Sequence, residues 1–276
     1  MRMTVFGGVL AAALLAAPAF AQSSAGAWSD VPDRFQIDAG YFNISANTVL
    51  RYNAGPGLAG DVDFEKDLGL NQDASTFWVD GTWRVGRRHQ VKLAFTKLNR
   101  NRDAFSLQRD FTWGGEVYSA GLEANAETGS NILAGYYRFA IVRNERFEIG
   151  PAIGIGHLSL TTRIRATGSV GGVSRTLDQS ASTGSVTGAI GGYASGWLAK
   201  RLVAHGDFLY LKASPGNSTA SITDWRLGAD YYFLRNAGLG VQYKYDRYSY
   251  DRGILVSKLG GEITYKGFQV FASFRF

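Results

Sequence analysis

The stretch Thr76-Phe77-Trp78-Val79-Asp80-Gly81-Thr82-Trp83-Arg84-Val85 decides the fold. In an extended chain, Phe77, Val79, Gly81, Trp83 and Val85 share one face, and Trp78, Asp80, Thr82 and Arg84 share the other. Such a strand separates an apolar medium from a polar one. The pattern recurs along the chain. Val91, Leu93 and Phe95 oppose Gln90, Lys92 and Thr96. Trp225, Leu227, Ala229, Tyr231 and Phe233 oppose Asp224, Arg226, Gly228 and Asp230. Leu239, Val241, Tyr243 and Tyr245 oppose Gly240, Gln242, Lys244 and Asp246. The chain ends with Phe268, Val270, Ala272, Phe274 and Phe276 opposing Gln269, Phe271, Ser273 and Arg275.

Between these strands lie four tight polar turns: Gly86 to His89, Arg143 to Arg146, Ala199 to Arg201 and Arg235 to Gly238. Longer connections fall near 53–73, 100–115, 166–175, 213–220 and 247–254. Short and long alternate, so the expectation is an all-β antiparallel barrel of about ten strands, with eight or twelve as alternatives. Both chain ends then lie at the short-turn end. Roughly 25 residues per strand and connection leave room for the ~9–11 that cross a bilayer at a tilt.

One segment has a rival reading. Gln179 to Ala199 carries no charge, and Val186, Ile190, Tyr193 and Trp197 recur at helical spacing. Glycine, serine and threonine dominate it, which would insert poorly as a transmembrane helix. A glycine-rich strand is the expected form, with close backbone approach at the glycines.

Composition narrows the chemistry. The 276 residues include no cysteine, so disulfides and thiolate metal sites are excluded. Three scattered histidines, His89, His157 and His205, make a poor metal centre. No metal and no cofactor is expected. A net charge of +6 with a pI near 9.5 would suit nucleic acid, but no aromatic–basic motif supports that partner. Arg2, the apolar run Val5 to Ala17, and Ala19-Phe20-Ala21 read as a secretory signal peptide over 1–21, cleaved after Ala21. The barrel is then expected over 22–276, in a bacterial outer membrane.

Period two alone does not say which face meets lipid. Trp83, Phe139, Phe147, Trp197 and Phe233 sit beside the short turns, and Phe274 and Phe276 lie at the C-terminus. Aromatics gathered at one barrel end form an interfacial girdle, so the apolar face is assigned to lipid. The ending on Phe276 resembles the C-terminal strand signal of Gram-negative outer-membrane β-barrel proteins. That resemblance implies recognition by the barrel-assembly machinery. The stretches Phe64-Glu65-Lys66-Asp67-Leu68-Gly69-Leu70 and Thr223-Asp224-Trp225-Arg226-Leu227 are also similar to a group of such barrels, and bring no activity with them.

With the apolar face outside, the lumen receives Asp38, Asp80, Glu148, Asp207, Asp224, Asp230 and Asp246, with Arg84, Lys92, Arg138, Arg226, Lys244, Arg275 and His205. Near-balanced charge in a narrow space predicts a cross-linked, mostly occluded interior. His205 and Asp207 share a face, as a general-base pair would. The ten-stranded omptin proteases resemble this chain in architecture, but their Asp-x-His order and outer-rim position are not met. His157 and Ser159 resemble the His-x-Ser of outer-membrane lipid A deacylases, without the Asn and Glu of that pattern. A polar pair at the upper lumen, or a register slip near Gly156, is the structural alternative. Asp61, Asp63, Glu65 and Asp67 offer calcium-type oxygens without the EF-hand glycine or spacing, so a solvated acidic loop is expected. Arg100, Arg102, Arg163 and Arg165 are assigned to the outer end, where lipopolysaccharide phosphates would bind guanidinium groups. The leading expectation is a non-enzymatic barrel, structural or a narrow passive channel. An enzyme acting on lipid A and a surface adhesion or recognition protein are the alternatives.

Overall fold

A computed structural model of the chain describes residues 29–53, 59–107, 110–113, 116–170, 173–213, 218–254 and 257–276. The signal-peptide reading of 1–21 lies outside them. Ten long strands form the wall: β1 (Phe35–Asn53), β2 (Asp73–Arg84), β3 (His89–Ser106), β4 (Glu123–Phe139), β5 (Phe147–Val170), β6 (Val173–Ala199), β7 (Leu202–Ala213), β8 (Ser218–Tyr231), β9 (Ala237–Ile254) and β10 (Ser257–Arg275). Each pairs antiparallel with its neighbour in sequence, and β10 pairs with β1, so the sheet closes. At the seam Phe35 and Phe276 exchange two backbone hydrogen bonds of 2.8 Å. Closure leaves no free edge at the seam, which a membrane-spanning sheet requires.

Alternation decides what each side chain meets. On β8, Leu227 is 64% exposed and Asp230 is 0% exposed. Only the orientation with the greasy face outward puts both where they are. The outer wall carries Phe77, Leu93, Ile155, Val186, Val241 and Phe268, an apolar belt far too continuous for a water-facing surface. Trp225, Tyr243, Tyr245 and Phe268 add an outward aromatic cluster, with ring centroids 5.1–5.9 Å apart.

The Gln179–Ala199 segment is strand, as its composition implied. At Gly191 a Cβ would lie 1.8 Å from the Phe208 carbonyl oxygen, so the backbones of β6 and β7 approach as only glycine permits. The tight turns fall where expected. Asn144 closes one of them by accepting from the backbone amides of Arg146 and Phe147 at 2.8 Å.

The outer connections differ from the sequence reading. The regions near 166–175 and 247–254 are mostly strand, because β5 and β6 pair continuously to Val170 and Val173, and β9 and β10 to Ile254 and Ser257. At 24 and 27 residues, β5 and β6 exceed the ~10 needed to cross a bilayer. Their upper part is therefore a hairpin standing above it. Val173 to Ala189 pair with β5 alone among the described residues, since the register with β7 begins at Ile190.

Candidate functional site

The interior is built in layers. Its charged layer crosses the lumen. Asp80 on β2 accepts from Arg226 on β8 at 2.6 Å and lies 2.9 Å from the Lys92 ammonium on β3. Arg226 also lies 3.4 Å from Asp207 on β7, which takes Arg138 from β4 at 2.5 Å. On the short-turn side, Arg84 of β2 reaches Glu148 of β5 at 2.9 Å. Lys244 pairs with Asp246, and Asp38 accepts from Ser273 at 2.6 Å and from Gln36 at 2.8 Å. Alternation places all these groups inward, and burial forces them to pair. The cross-lumen partners sit three and four strands apart, so they tie opposite walls together.

Towards the outer end the filling turns apolar. Phe42, Ile44, Trp78, Leu98, Ile132, Ile263, Tyr265 and Phe271 form one cluster, with Trp78 edge-on to Phe271 at 5.3 Å. The Tyr265 hydroxyl on β10 donates to Ser130 on β4 at 2.9 Å, a further tie across the barrel.

Outermost is the first loop, folded inward. Ala59–Asp63 pairs as a short strand with the end of β1. Val62, Phe64, Leu68 and Leu70 then pack against Phe105, Leu107, Ala124, Ala126, Ile164 and Ala166 of the inner wall. Phe64 and Leu68 are essentially fully enclosed. Gly69 adopts φ +62°, the left-handed conformation that returns the chain to Leu70. A charged latch holds the loop. Arg100 Nη1 donates to Glu65 at 2.5 Å and Nη2 donates to Thr48 at 2.5 Å, while the Thr48 amide donates to the other Glu65 oxygen at 2.7 Å.

Several sequence assignments change. Arg100 is not at the lipopolysaccharide surface; it is buried as the latch, because β3 continues past it and turns it inward. Arg102, Arg163 and Arg165 are exposed, the last two both bonded to Asp178 at 2.6–2.8 Å. Those hydrogen bonds hold the Asp178 carboxyl well below the usual carboxylate range. Trp197 is not in the girdle. It faces the lumen, 6.1 Å from Tyr232, with the Arg275 guanidinium 5.4 Å from its ring. Trp83, Phe147 and Phe233 are exposed on the outer wall, with Phe139 beside His89 at 5.2 Å and Phe274 and Phe276 on the same outward side of β10.

His205 does not pair with Asp207 but meets Asp230 at 3.2 Å. His157 and Ser159 point outward from an unbroken register, neither in the upper lumen nor at a slip. The acidic loop is not freely solvated. Asp63 accepts from the Glu65 amide at 3.1 Å and the Lys66 amide at 3.0 Å, Asp67 accepts from the Asp63 amide, and Glu65 turns inward. The remaining network residues, Asp38, Asp80, Arg84, Lys92, Arg138, Glu148, Asp207, Arg226, Asp230, Lys244 and Arg275, are all luminal, as alternation implied.

At the short-turn end the lumen widens into a cavity of about 960 Å³ lined by Arg138, Tyr193, Trp197, His205 and Arg275 among others. The segment before β1 crosses its edge. Ser29 donates to the Lys200 carbonyl at 2.6 Å, Val31 packs with Val203 and Tyr232, and Asp30 accepts from Arg201 at 3.1 Å. That last bond lowers the Asp30 carboxyl below its usual value.

A closed antiparallel barrel with a greasy exterior and an ionised, filled interior is the architecture of a bacterial outer-membrane β-barrel protein. No family model and no curated protein matches the sequence. Among solved structures the chain is similar to the outer-membrane protease OmpT of Escherichia coli, with TM-score 0.59 and 13% identity, over 89% of this chain and 97% of that one. It is also similar to the translocator domain of the autotransporter NalP from Neisseria meningitidis (TM-score 0.48, 14% identity, 88% and 89% covered). A third is the outer membrane protein OprG from Pseudomonas aeruginosa (TM-score 0.34, 12% identity, 90% and 99% covered). The OmpT likeness extends the whole length of the barrel, and at this identity it is a likeness of fold.

Proposed function

We propose that this protein is a non-enzymatic outer-membrane barrel whose resting form is closed to bulk solute flow, acting as a structural element of the envelope. The observation that carries the reading is the inward first loop, with Phe64 and Leu68 enclosed and Glu65 latched to Arg100. The ion pairs beneath it add a second barrier. Of the narrow-channel and structural readings, this filling favours the structural one. The histidines favour it over an enzyme: His89 bonds the Tyr137 hydroxyl at 2.6 Å, His205 meets Asp230, and His157 faces outward. Exposed Arg102, Arg163 and Arg165 support lipopolysaccharide phosphates as the outer partner, and the outward Phe274 and Phe276 support delivery through the barrel-assembly machinery. The test is single-channel recording from refolded protein in planar bilayers. No steady openings are expected; a stable conductance in the wild type overturns the closed reading.

A further inference from the structure

The cavity at the short-turn end is uneven in charge. Eight arginine and lysine side chains line it against five carboxylates. Most of the deeper cations are engaged: Arg84 and Arg143 share Asp33 and Glu148, Lys92 takes Asp80, and Arg138 takes Asp207. Arg275 stands apart. Among the described residues no carboxylate lies within ion-pair distance of it, and its Nε is enclosed without an acceptor. Its guanidinium is instead held against two rings, 5.1 Å from the centroid of Tyr232 and 5.4 Å from that of Trp197. The luminal carboxylates on this side turn to other partners, Asp38 to Gln36 and Ser273, and Asp230 to His205.

Arg275 is partly exposed, so its guanidinium meets the cavity with no direct counter-charge, and an anion entering there completes it. The rings hold the guanidinium by contact alone, and among the described residues no hydrogen bond engages its two Nη atoms, which can therefore take a planar or tetrahedral oxyanion. The wall holds a second group of this kind. Tyr193, 4% exposed, is among the lining residues, and its enclosed hydroxyl has no protein partner, with the Arg138 guanidinium 5.1 Å from its ring. Exposed Arg87 and Arg88, on the turn after β2, line the same mouth and would draw anions towards it. The volume suits a small organic molecule.

We infer that this cavity binds a small solute carrying a carboxylate or phosphate, which enters from the periplasmic, short-turn side and is anchored by Arg275. The site does not rest on the closed-barrel reading, because a conducting barrel would hold the same cavity. The test is calorimetric titration of the refolded full barrel at low ionic strength with sodium phosphate and, separately, disodium succinate, with succinamide as the uncharged control. Saturable binding of at least one anion, and none of the control, is expected. Phosphate alone identifies a phosphoryl ligand and succinate alone a carboxylate; either supports the site. Arg275→Gln should weaken binding about tenfold or more, with partial recovery in Arg275→Lys, since the charge returns without the fork. If Arg275→Gln does not refold, the exposed-turn variant Arg87→Gln/Arg88→Gln should bind several-fold more weakly at low salt and equally at high salt. Wild-type protein that binds neither anion overturns the inference. So does a refolded Arg275→Gln with wild-type affinity, or, where it does not refold, a turn variant with wild-type affinity at low salt.

Discussion

Arg226 on β8 donates from Nη1 to Oδ2 of Asp80 on β2 at 2.6 Å, from four strands away around the barrel. The same oxygen lies 2.9 Å from the Lys92 ammonium, and all three side chains are buried. Removing the carboxylate strands the Lys92 ammonium and leaves Arg226 with only its longer contact to Asp207 at 3.4 Å. Asp80→Ala is therefore expected to cost about 3–5 kcal/mol, the usual penalty for an orphaned buried charge. Denaturant titration of the refolded barrel in lipid vesicles measures it. Replacing Asp80 and Arg226 by leucine and Lys92 by methionine together should cost much less, because no charge is left unpaired. A loss under about 1 kcal/mol in Asp80→Ala contradicts the cross-lumen tie.

The Glu65–Arg100 latch makes a separable prediction. Lys66 is well exposed, but the loop around it is pinned by Phe64, Leu68 and the latch. Glu65→Ala leaves Arg100 without its carboxylate and should speed trypsin cleavage after Lys66 by about tenfold, since cleavage needs local opening. Conductance should stay at baseline, because the ion pairs deeper in the barrel are untouched. Unchanged cleavage in a folded variant would mean that apolar packing alone holds the loop.

Much of this was legible in the sequence, for a physical reason. Period two assigns sides, and each inward acid and base sits on the parity that its neighbours set. Parity also shows where the reading failed. Val186 and Ile190 share one parity of β6, while Tyr193 and Trp197 share the other. Placing Trp197 in the girdle by its nearness to a turn overrode that signal. Arg100 failed differently. Its partner Glu65 lies on a loop 35 residues away, and no local pattern marks such a pair. The spacing of Phe64, Leu68 and Leu70 within an acidic stretch was the available sign that the loop packs inward.

Asp178 gives a pH prediction above the membrane. Hydrogen bonds from Arg163 and then Arg165 depress its carboxyl below the unfolded value. A depressed acid contributes its stabilisation above the unfolded value and loses it only as pH falls through the lower folded one. The cross-link between β5 and β6 should thus survive ordinary acid conditions and break only in strong acid. A carboxyl-carbon NMR titration of Asp178 reads this directly. Arg163→Gln with Arg165→Gln should return its midpoint to the usual carboxylate range, and a wild-type midpoint already there contradicts the pairing.

The orientation of the wall is decided by tryptophans. Trp83 is 48% exposed on the outer face and Trp225 belongs to the outward aromatic cluster, whereas Trp78 is 2% exposed inside and Trp197 lies against Tyr232 and Arg275. Trp78 and Trp83 sit on one strand at opposite parity, so one register carries both outcomes. In single-tryptophan variants refolded into vesicles with brominated acyl chains, Trp83 and Trp225 should be quenched. Trp78 and Trp197 should not, because bromine quenches only on near contact and the lumen admits no acyl chain. Quenching of Trp78 with Trp83 spared would require the barrel to turn its charges outward. Asp80 and Arg226 would then meet hydrocarbon, at a cost of ~2–4 kcal/mol for the arginine alone at mid-bilayer depth.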